Sequence, residues 1–165
     1  MLDPMPDYEG ETMKNNCAKK TEKGQALLEF AAVTLVFFAL AFGIIEFGRA
    51  LWTWNTIVQA TRAGARYAAV ALPTGNDSEI KKVVVYNDPN ATAGTTPVVP
   101  GLTEANVTVQ YLNNDGSVAA NKAVADLIQV SVTGYQFNFL VSLFGPQLSL
   151  PAFTTSLPLE GLGAS

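Results

Sequence analysis

The chain has 165 residues, a formal net charge of −4, one cysteine and no histidine. A single cysteine excludes a disulfide within the chain, and without histidine there are no Cys/His metal sites and no histidine-based nucleophilic triads. The few basic residues past position 50 are scattered, which argues against a face for nucleic acid. No close pair of acidic residues supports carboxylate catalysis, so we expect a protein without enzyme activity, cofactor or metal.

The first 24 residues are largely polar, with lysines at positions 14, 19, 20 and 23. An apolar stretch of about 23 residues follows, from Ala26 to Gly48, and only Arg49 adds a positive charge close behind it. The positive-inside rule therefore predicts a cytoplasmic N-terminus and a C-terminal domain on the other side of a membrane.

The apolar stretch contains a run without charge, residues 30–45, between Glu29 and Glu46. Because a bilayer core about 30 Å thick requires about 20 helical residues, the segment is predicted to cross a membrane with the two carboxylates near opposite interfaces. Three other interpretations are a buried core helix, a secretory signal peptide with a cleavage pattern at residues 39–41, and a signal anchor in which Glu29 is incidental.

Glu29 is a carboxylate at the start of an apolar helix, where a charge is costly unless it has a partner. Cleavage after Gly24 would make Gln25 the new N-terminus and Glu29 the fifth residue, one helical turn away. The helix dipole favours a carboxylate in the first turn. In a packed bundle, Glu29 of one subunit could also neutralise the terminal amine of the next.

Two stretches of sequence carry a resemblance to known families. The first resembles a type IV prepilin signature, which a prepilin peptidase cuts after the glycine: Lys23-Gly24-Gln25-Ala26-Leu27-Leu28-Glu29-Phe30. The second resembles the TadE-like family of tight adherence (Flp-type) pilus systems: Glu46-Phe47-Gly48-Arg49-Ala50-Leu51, Asn55 and Ala60-Thr61-Arg62-Ala63-Gly64-Ala65-Arg66-Tyr67-Ala68. The resemblance covers roughly residues 23–71. The acidic first dozen residues depart from the basic leader of the family.

The resemblance implies a minor pilin or pseudopilin, because the major Flp pilins are much shorter. It implies a processing site at Lys23, Gly24 and Gln25, and assembly roles for Glu29, Phe30, Glu46 and Arg49. The implied partners are a prepilin peptidase, other pilin-like subunits, inner-membrane pilus assembly proteins and the lipid bilayer. The expected location is the cytoplasmic (inner) membrane, with incorporation into a surface pilus. The alternative is an uncleaved single-pass membrane protein with an extracytoplasmic binding or scaffolding domain.

The helical pattern continues past the apolar stretch, with apolar or small residues three and four apart at Phe47, Leu51, Trp54, Val58, Thr61, Ala65 and Ala68. One helix is predicted from about Gln25 to Ala71, ended by residues 73–77. Small residues from Ala60 to Ala69 allow close approach by the protein's own sheet or by another subunit. The predicted domains are the leader 1–24, the membrane and assembly helix 25–48, its outer half 49–72 and an α+β domain 73–165.

Three side-chain pairs on this helix have two interpretations each. Glu46 and Arg49 either pair on the helix surface or bind a partner. Trp52 and Trp54 suit an interfacial aromatic anchor, while Trp54 equally suits the core. The like-charged pair Arg62 and Arg66 forms a solvated face or bridges to acids such as Asp126 or Glu79.

The C-terminal part predicts an antiparallel sheet of about three strands. Residues 79–86 are ambiguous between helix and strand; one apolar helical face favours a short helix, capped by Asp77 or Ser78. Strands are predicted at 106–112, at 127–137 and from 148 to 157 with an interruption at Pro151. The apolar loop 139–146 either covers the end of the sheet or is exposed for membrane or subunit contact. The predicted fold is therefore α+β, with a long N-terminal helix packed on a small sheet.

Overall fold

A computed structural model describes the backbone of residues 9–71, 76–120, 122–141 and 145–159. The side chains described are those of residues 24–70, 76–120, 123–141 and 145–159. The elements are α1 (Glu9–Ala71), α2 (Asp77–Tyr86), β1 (Val107–Leu112), β2 (Leu127–Val132), β3 (Gln136–Asn138), β4 (Gln147–Ser149) and β5 (Phe153–Pro158). The predicted α+β fold is confirmed. The chain divides into two compact units, residues 1–45 and 46–165.

Helix α1 is longer than predicted at its start. Its end at Ala71 agrees with the sequence prediction, but it begins at Glu9 and not near Gln25. No proline occurs between Pro6 and Pro73, and proline is the residue that breaks a helix interior most strongly. Gly24 alone does not interrupt the helix, because a single glycine costs a helix only about 1 kcal/mol.

Helix α2 resolves the ambiguity over residues 79–86 in favour of a helix. Its N-cap is Asn76, whose side-chain oxygen accepts a hydrogen bond from the backbone N–H of Ser78 at 3.3 Å. The predicted cap at Asp77 or Ser78 was therefore wrong by one or two residues. Asn87 ends the helix in the left-handed conformation, with φ of 57°, and its N–H donates to the carbonyl of Val83. Asparagine is one of the few non-glycine residues that tolerates this conformation.

The main sheet has the strand order β1-β2-β5, with both pairs antiparallel. The prediction of a single strand over 127–137 was wrong, because Gly134, with φ of 69°, turns the chain between β2 and β3. The interruption predicted at Pro151 in the third strand is confirmed, because the chain forms β4 before it and β5 after it. Strands β3 and β4 pair with each other in a separate two-stranded sheet.

The core of the unit formed by residues 46–165 lies between the outer half of α1, helix α2 and the main sheet. Its fully buried members include Ile57, Ala65, Ile80, Val84, Val99, Ile128, Val130 and Val132. Gly64 brings the two helices close together, since a Cβ added there would lie 2.3 Å from Cγ2 of Val84. Packing of the small residues against the protein's own core is therefore confirmed.

The buried face of α1 differs from the predicted one at its beginning. Phe47 and Leu51 are exposed, whereas Glu46, Thr53 and Ile57 are buried. The periodic pattern was misleading because this part of α1 carries large apolar residues on two faces, and spacing alone does not tell which face meets the core.

Candidate functional site

The first candidate site is the apolar part of α1. The helix contains a segment long and apolar enough to cross a membrane, and no residue in the most apolar part of that segment is buried inside the protein. Large side chains exposed there include Leu27, Leu28, Phe30, Val33, Leu35, Val36, Phe37, Phe38, Leu40 and Ile44. An exposed apolar surface of this extent indicates contact with lipid or with another protein. The interpretation as a buried core helix is therefore wrong.

The residues of the predicted processing site lie within α1. Gly24 has open space around it, with no atom within 4 Å of the position that a Cβ would take. Gln25 is exposed and donates a hydrogen bond from Nε2 to Oε1 of Glu29 at 3.2 Å. Gln25 and Glu29 are thus in contact one helical turn apart, but through the Gln25 side chain and not through the terminal amine that a cut would create. Lys23 lies in the helix, and its side chain is outside the described residues.

The second candidate site is the carboxylate of Glu46, which is 3% exposed. One oxygen, Oε2, accepts a hydrogen bond from Nη1 of Arg49 at 2.5 Å. The other, Oε1, accepts from the backbone N–H groups of Leu140 at 2.6 Å and Val141 at 3.0 Å. The predicted pairing of Glu46 with Arg49 is confirmed, but the pair is not on the helix surface. Both carboxylate oxygens are engaged, as a buried charge requires.

Arg49 extends this cluster to the end of β3. Its Nη2 donates to the backbone carbonyl of Asn138 at 3.2 Å, and its guanidinium lies 4.9 Å from the ring centroid of Phe137. The second contact is a cation–π interaction. We call Glu46, Arg49, Phe137 and the backbone of residues 138–141 the Glu46 cluster. It holds the loop after β3 against the beginning of the outer half of α1.

The two tryptophans have different surroundings. The ring of Trp54 packs edge-on against Phe153, with centroids 4.8 Å apart, while Trp52 is more exposed. Trp54 therefore belongs to the edge of the core, and Trp52 is the one free to contact an interface.

Arg62 and Arg66 are exposed, and among the residues described neither takes part in an ion pair. The acids considered as their partners bind elsewhere. Glu79 accepts a hydrogen bond from the hydroxyl of Tyr67 at 3.0 Å, and Asp126 accepts one from the backbone N–H of Asn114 at 2.9 Å. The interpretation of the two arginines as a solvated face agrees with this arrangement.

Tyrosine hydroxyls connect the elements of the unit formed by residues 46–165, and these contacts could not be predicted from the sequence. Tyr111 donates to Asp77 at 2.5 Å, and burial together with this hydrogen bond raises the pKa of Tyr111 far above its ordinary value. Tyr135 donates to the carbonyl of Pro100 at 2.9 Å, and burial raises its pKa as well. The partners are distant in sequence, so no local pattern marks them.

No metal centre is evident in the parts of the chain that the structure describes, since they hold no group of three or more His, Cys, Asp or Glu side chains suited to an ion. The first candidate site is an exposed apolar surface, and the second is an ion pair with a buried carboxylate. Neither arrangement supplies a nucleophile with an adjacent base, which covalent catalysis requires.

The fold and these sites define a class of membrane-anchored α+β proteins in which one long helix carries an exposed apolar segment, and its residues from Glu46 onward contribute to the core of an α+β unit. Residues 24–66 match the model of a protein family described as TadE-like protein. No curated protein and no solved structure matches the chain. The resemblance predicted from the sequence is thereby confirmed for residues 24–66. Together with the apolar helix, the match suggests a membrane protein associated with a Tad pilus.

Proposed function

We propose that this protein is a minor pilin or pseudopilin of a tight adherence pilus or a related secretion or adhesion machine. A prepilin peptidase cuts the precursor after Gly24, and the apolar part of α1 then packs with the helices of other pilin-like subunits. The single observation that carries the proposal is the coincidence of the family match with the predicted cut. The match begins at Gly24, and Glu29 follows it by five residues at the start of the exposed apolar surface.

The surroundings of Glu29 support an assembly role. Glu29 is exposed, and the hydrogen bond that it accepts from Gln25 comes from an exposed side chain and not from a buried network. A carboxylate held so loosely can exchange that partner for a terminal amine, which is a stronger, charge-assisted donor. The amine would come from the Gln25 of a neighbouring cut subunit. Phe30, the next residue, adds an exposed aromatic ring to the same turn.

The proposed topology places the lysine-rich leader in the cytoplasm, where an inner-membrane peptidase and assembly proteins reach it, and the unit of residues 46–165 outside. Positive charge before the span and its scarcity after it support this orientation. The outer unit then becomes the part of the protein that faces other subunits or the surroundings of the cell.

The experiment that tests the proposal is the intact mass and N-terminal sequence of the membrane-associated protein, with and without a prepilin peptidase. We expect a mature chain that begins at Gln25 only when the peptidase is present. A chain that keeps Lys23 and Gly24 in both cases would favour the alternative, an uncleaved single-pass protein with a binding or scaffolding domain. A chain that begins at Phe42 would indicate ordinary secretion.

A matched pair of variants separates processing from assembly. Glu29→Gln removes the charge at the fifth mature position, and Glu22→Gln removes a nearby carboxylate that the cut would discard. We expect both variants to be cut after Gly24, but only Glu29→Gln to be depleted from sheared filaments. Equal recovery of both variants in filaments would show that Glu29 has no role in assembly.

A further inference from the structure

The run without charge is too short to cross a bilayer by itself. Residues 30–45 form sixteen helical residues, which at 1.5 Å per residue span about 24 Å of a hydrocarbon core about 30 Å thick. The membrane-spanning segment must therefore include residues beyond Glu29 or beyond Glu46. The two carboxylates differ in what immersion would cost, because Glu29 is exposed and Glu46 is 3% exposed.

In the Glu46 cluster, both carboxylate oxygens of Glu46 already have hydrogen-bond partners, so placing this residue in lipid would not leave an unpaired charge. Arg49 neutralises the charge on one oxygen, and two backbone N–H groups bind the other. Charged groups at membrane depth are tolerated when they are paired in this way inside the protein. Arg49 is only partly exposed, and its guanidinium is itself held by Glu46, by the carbonyl of Asn138 and by the ring of Phe137.

The surface around the cluster is apolar. On α1 the side chains of Phe47, Leu51 and Trp52 are exposed, and from the loop after β3 Leu140 is 73% exposed. The next charged residue along α1 after Arg49 is Arg62. We call Phe47, Leu51, Trp52 and Leu140 the collar. It continues along the chain directly from the apolar run that ends at Ile45.

We propose that the bilayer surface on the side of the outer unit lies at Trp52 and not at Glu46, and that the collar, including Leu140, is seated in lipid. Residues 30–51 then contribute about 33 Å of helix, which matches the hydrocarbon core, and Trp52 occupies the headgroup region that tryptophan prefers. Lipid is the occupant because the collar continues a lipid-facing segment and exposes no unpaired charge. This inference rests on membrane anchoring, one part of the proposed function, and not on cleavage.

The first test uses the chain's two tryptophans in the full-length protein, reconstituted in phosphatidylcholine and phosphatidylglycerol vesicles. Trp54→Phe leaves Trp52 as the fluorophore, and Trp52→Phe leaves Trp54, which packs against Phe153. With brominated lipids we expect about twofold quenching of Trp52, strongest for bromine near the headgroups, and weaker quenching of Trp54.

The second test probes Leu140 and keeps both native tryptophans, so it does not depend on how well the Trp54 variant folds. Leu140→Cys and Val118→Cys are each made in a Cys17→Ser background and labelled with a nitroxide. Val118, which is 70% exposed, lies after β1 and is a matched apolar control outside the collar. We expect the label at Leu140 to be several-fold less accessible to an aqueous nickel complex than the label at Val118.

The outcomes are distinguishable. Equal aqueous access at both labels and an unquenched Trp52 would overturn the inference and leave the collar to water or to another protein. A Phe38→Trp variant without the native tryptophans reports on the span itself. If it is quenched while Trp52 is not, only the position of the membrane surface is wrong. If neither is quenched, membrane anchoring fails, and the proposed function fails with it.

Discussion

Replacement of Gly64 by alanine should destabilise the outer unit, although alanine is the better helix former. The added Cβ would lie 2.3 Å from Cγ2 of Val84 on α2, whereas carbon atoms in contact normally lie about 3.5 to 4.0 Å apart. The two helices would have to separate by more than about 1 Å at this point. Val84 gives little room, because it is fully buried and a β-branched residue in a helix has one strongly preferred rotamer.

The expected magnitude is the difference between two opposing effects. Overpacking of a core costs about 1 to 3 kcal/mol, and this overlap is severe enough to place it near the upper end. Alanine in place of glycine recovers about 1 kcal/mol of helix propensity. We therefore expect Gly64→Ala to lower the free energy of unfolding by about 1 to 2 kcal/mol.

Gly48 supplies the matched control, since it lies on the same helix and a Cβ there would meet no atom within 4 Å. The free energy of unfolding would be measured by urea titration of the full chain in detergent micelles, followed by tryptophan fluorescence. We expect Gly48→Ala to be neutral or stabilising. In a double-mutant cycle, Val84→Ala should remove most of the penalty of Gly64→Ala. A Gly64→Ala protein as stable as Gly48→Ala would refute the close approach of α1 and α2.

Three further predictions concern single interactions of the outer unit. Glu46→Ala should lower the free energy of unfolding by about 2 kcal/mol, because it leaves two backbone amides and a guanidinium without their acceptor. Glu46→Gln keeps one acceptor oxygen, so its free energy of unfolding should fall by less in the same urea titration. The pKa of Tyr111 is raised from its ordinary 10.0 by burial and by Asp77, so the unfolded chain releases this proton first as the pH rises. Stability should therefore fall above about pH 10, and thermal melts of Tyr111→Phe should show a shallower fall. Asn87→Ala should cost about 1 kcal/mol in a thermal melt, because alanine is strained at positive φ, whereas Asn87→Gly should be nearly neutral.

Each of these three would be contradicted by a simple result. Equal stability of the alanine and glutamine variants of Glu46 would show that its hydrogen bonds do not hold the loop after β3. An unchanged alkaline limb in Tyr111→Phe would assign the pH dependence to other groups. Equal melting temperatures of the two Asn87 variants would indicate that the helix ends without a left-handed residue.

The sequence predicted the elements whose causes are local. Pro73 marks the end of α1, the apolar run marks the membrane segment, and the helical spacing of Ile80, Val83 and Val84 identifies α2. The start of α1 was misjudged because Gly24 was treated as a boundary, when one glycine is too weak a breaker to end a long helix.

The remaining features depend on residues far apart in the chain. The partners of Glu46 are amides 94 and 95 residues away, and a backbone N–H has no sequence signature at all. The division of the second predicted strand depends on the left-handed conformation of Gly134, and an isolated glycine in an alternating pattern is also compatible with a bulge. The spacing of Glu46 and Arg49 predicted that they pair, but nothing in the sequence indicated that the carboxylate of Glu46 is buried.

The continuity of α1 through Gly24 has a consequence for the timing of maturation. A peptidase acts on an opened chain, so the helical turn around the Gly24–Gln25 bond has to unwind before the bond can be cut. Glycine makes that turn about 1 kcal/mol easier to open than alanine would. For a chain processed at this bond, the frequency of local unwinding sets an upper limit on the rate of maturation, whatever the abundance of the enzyme.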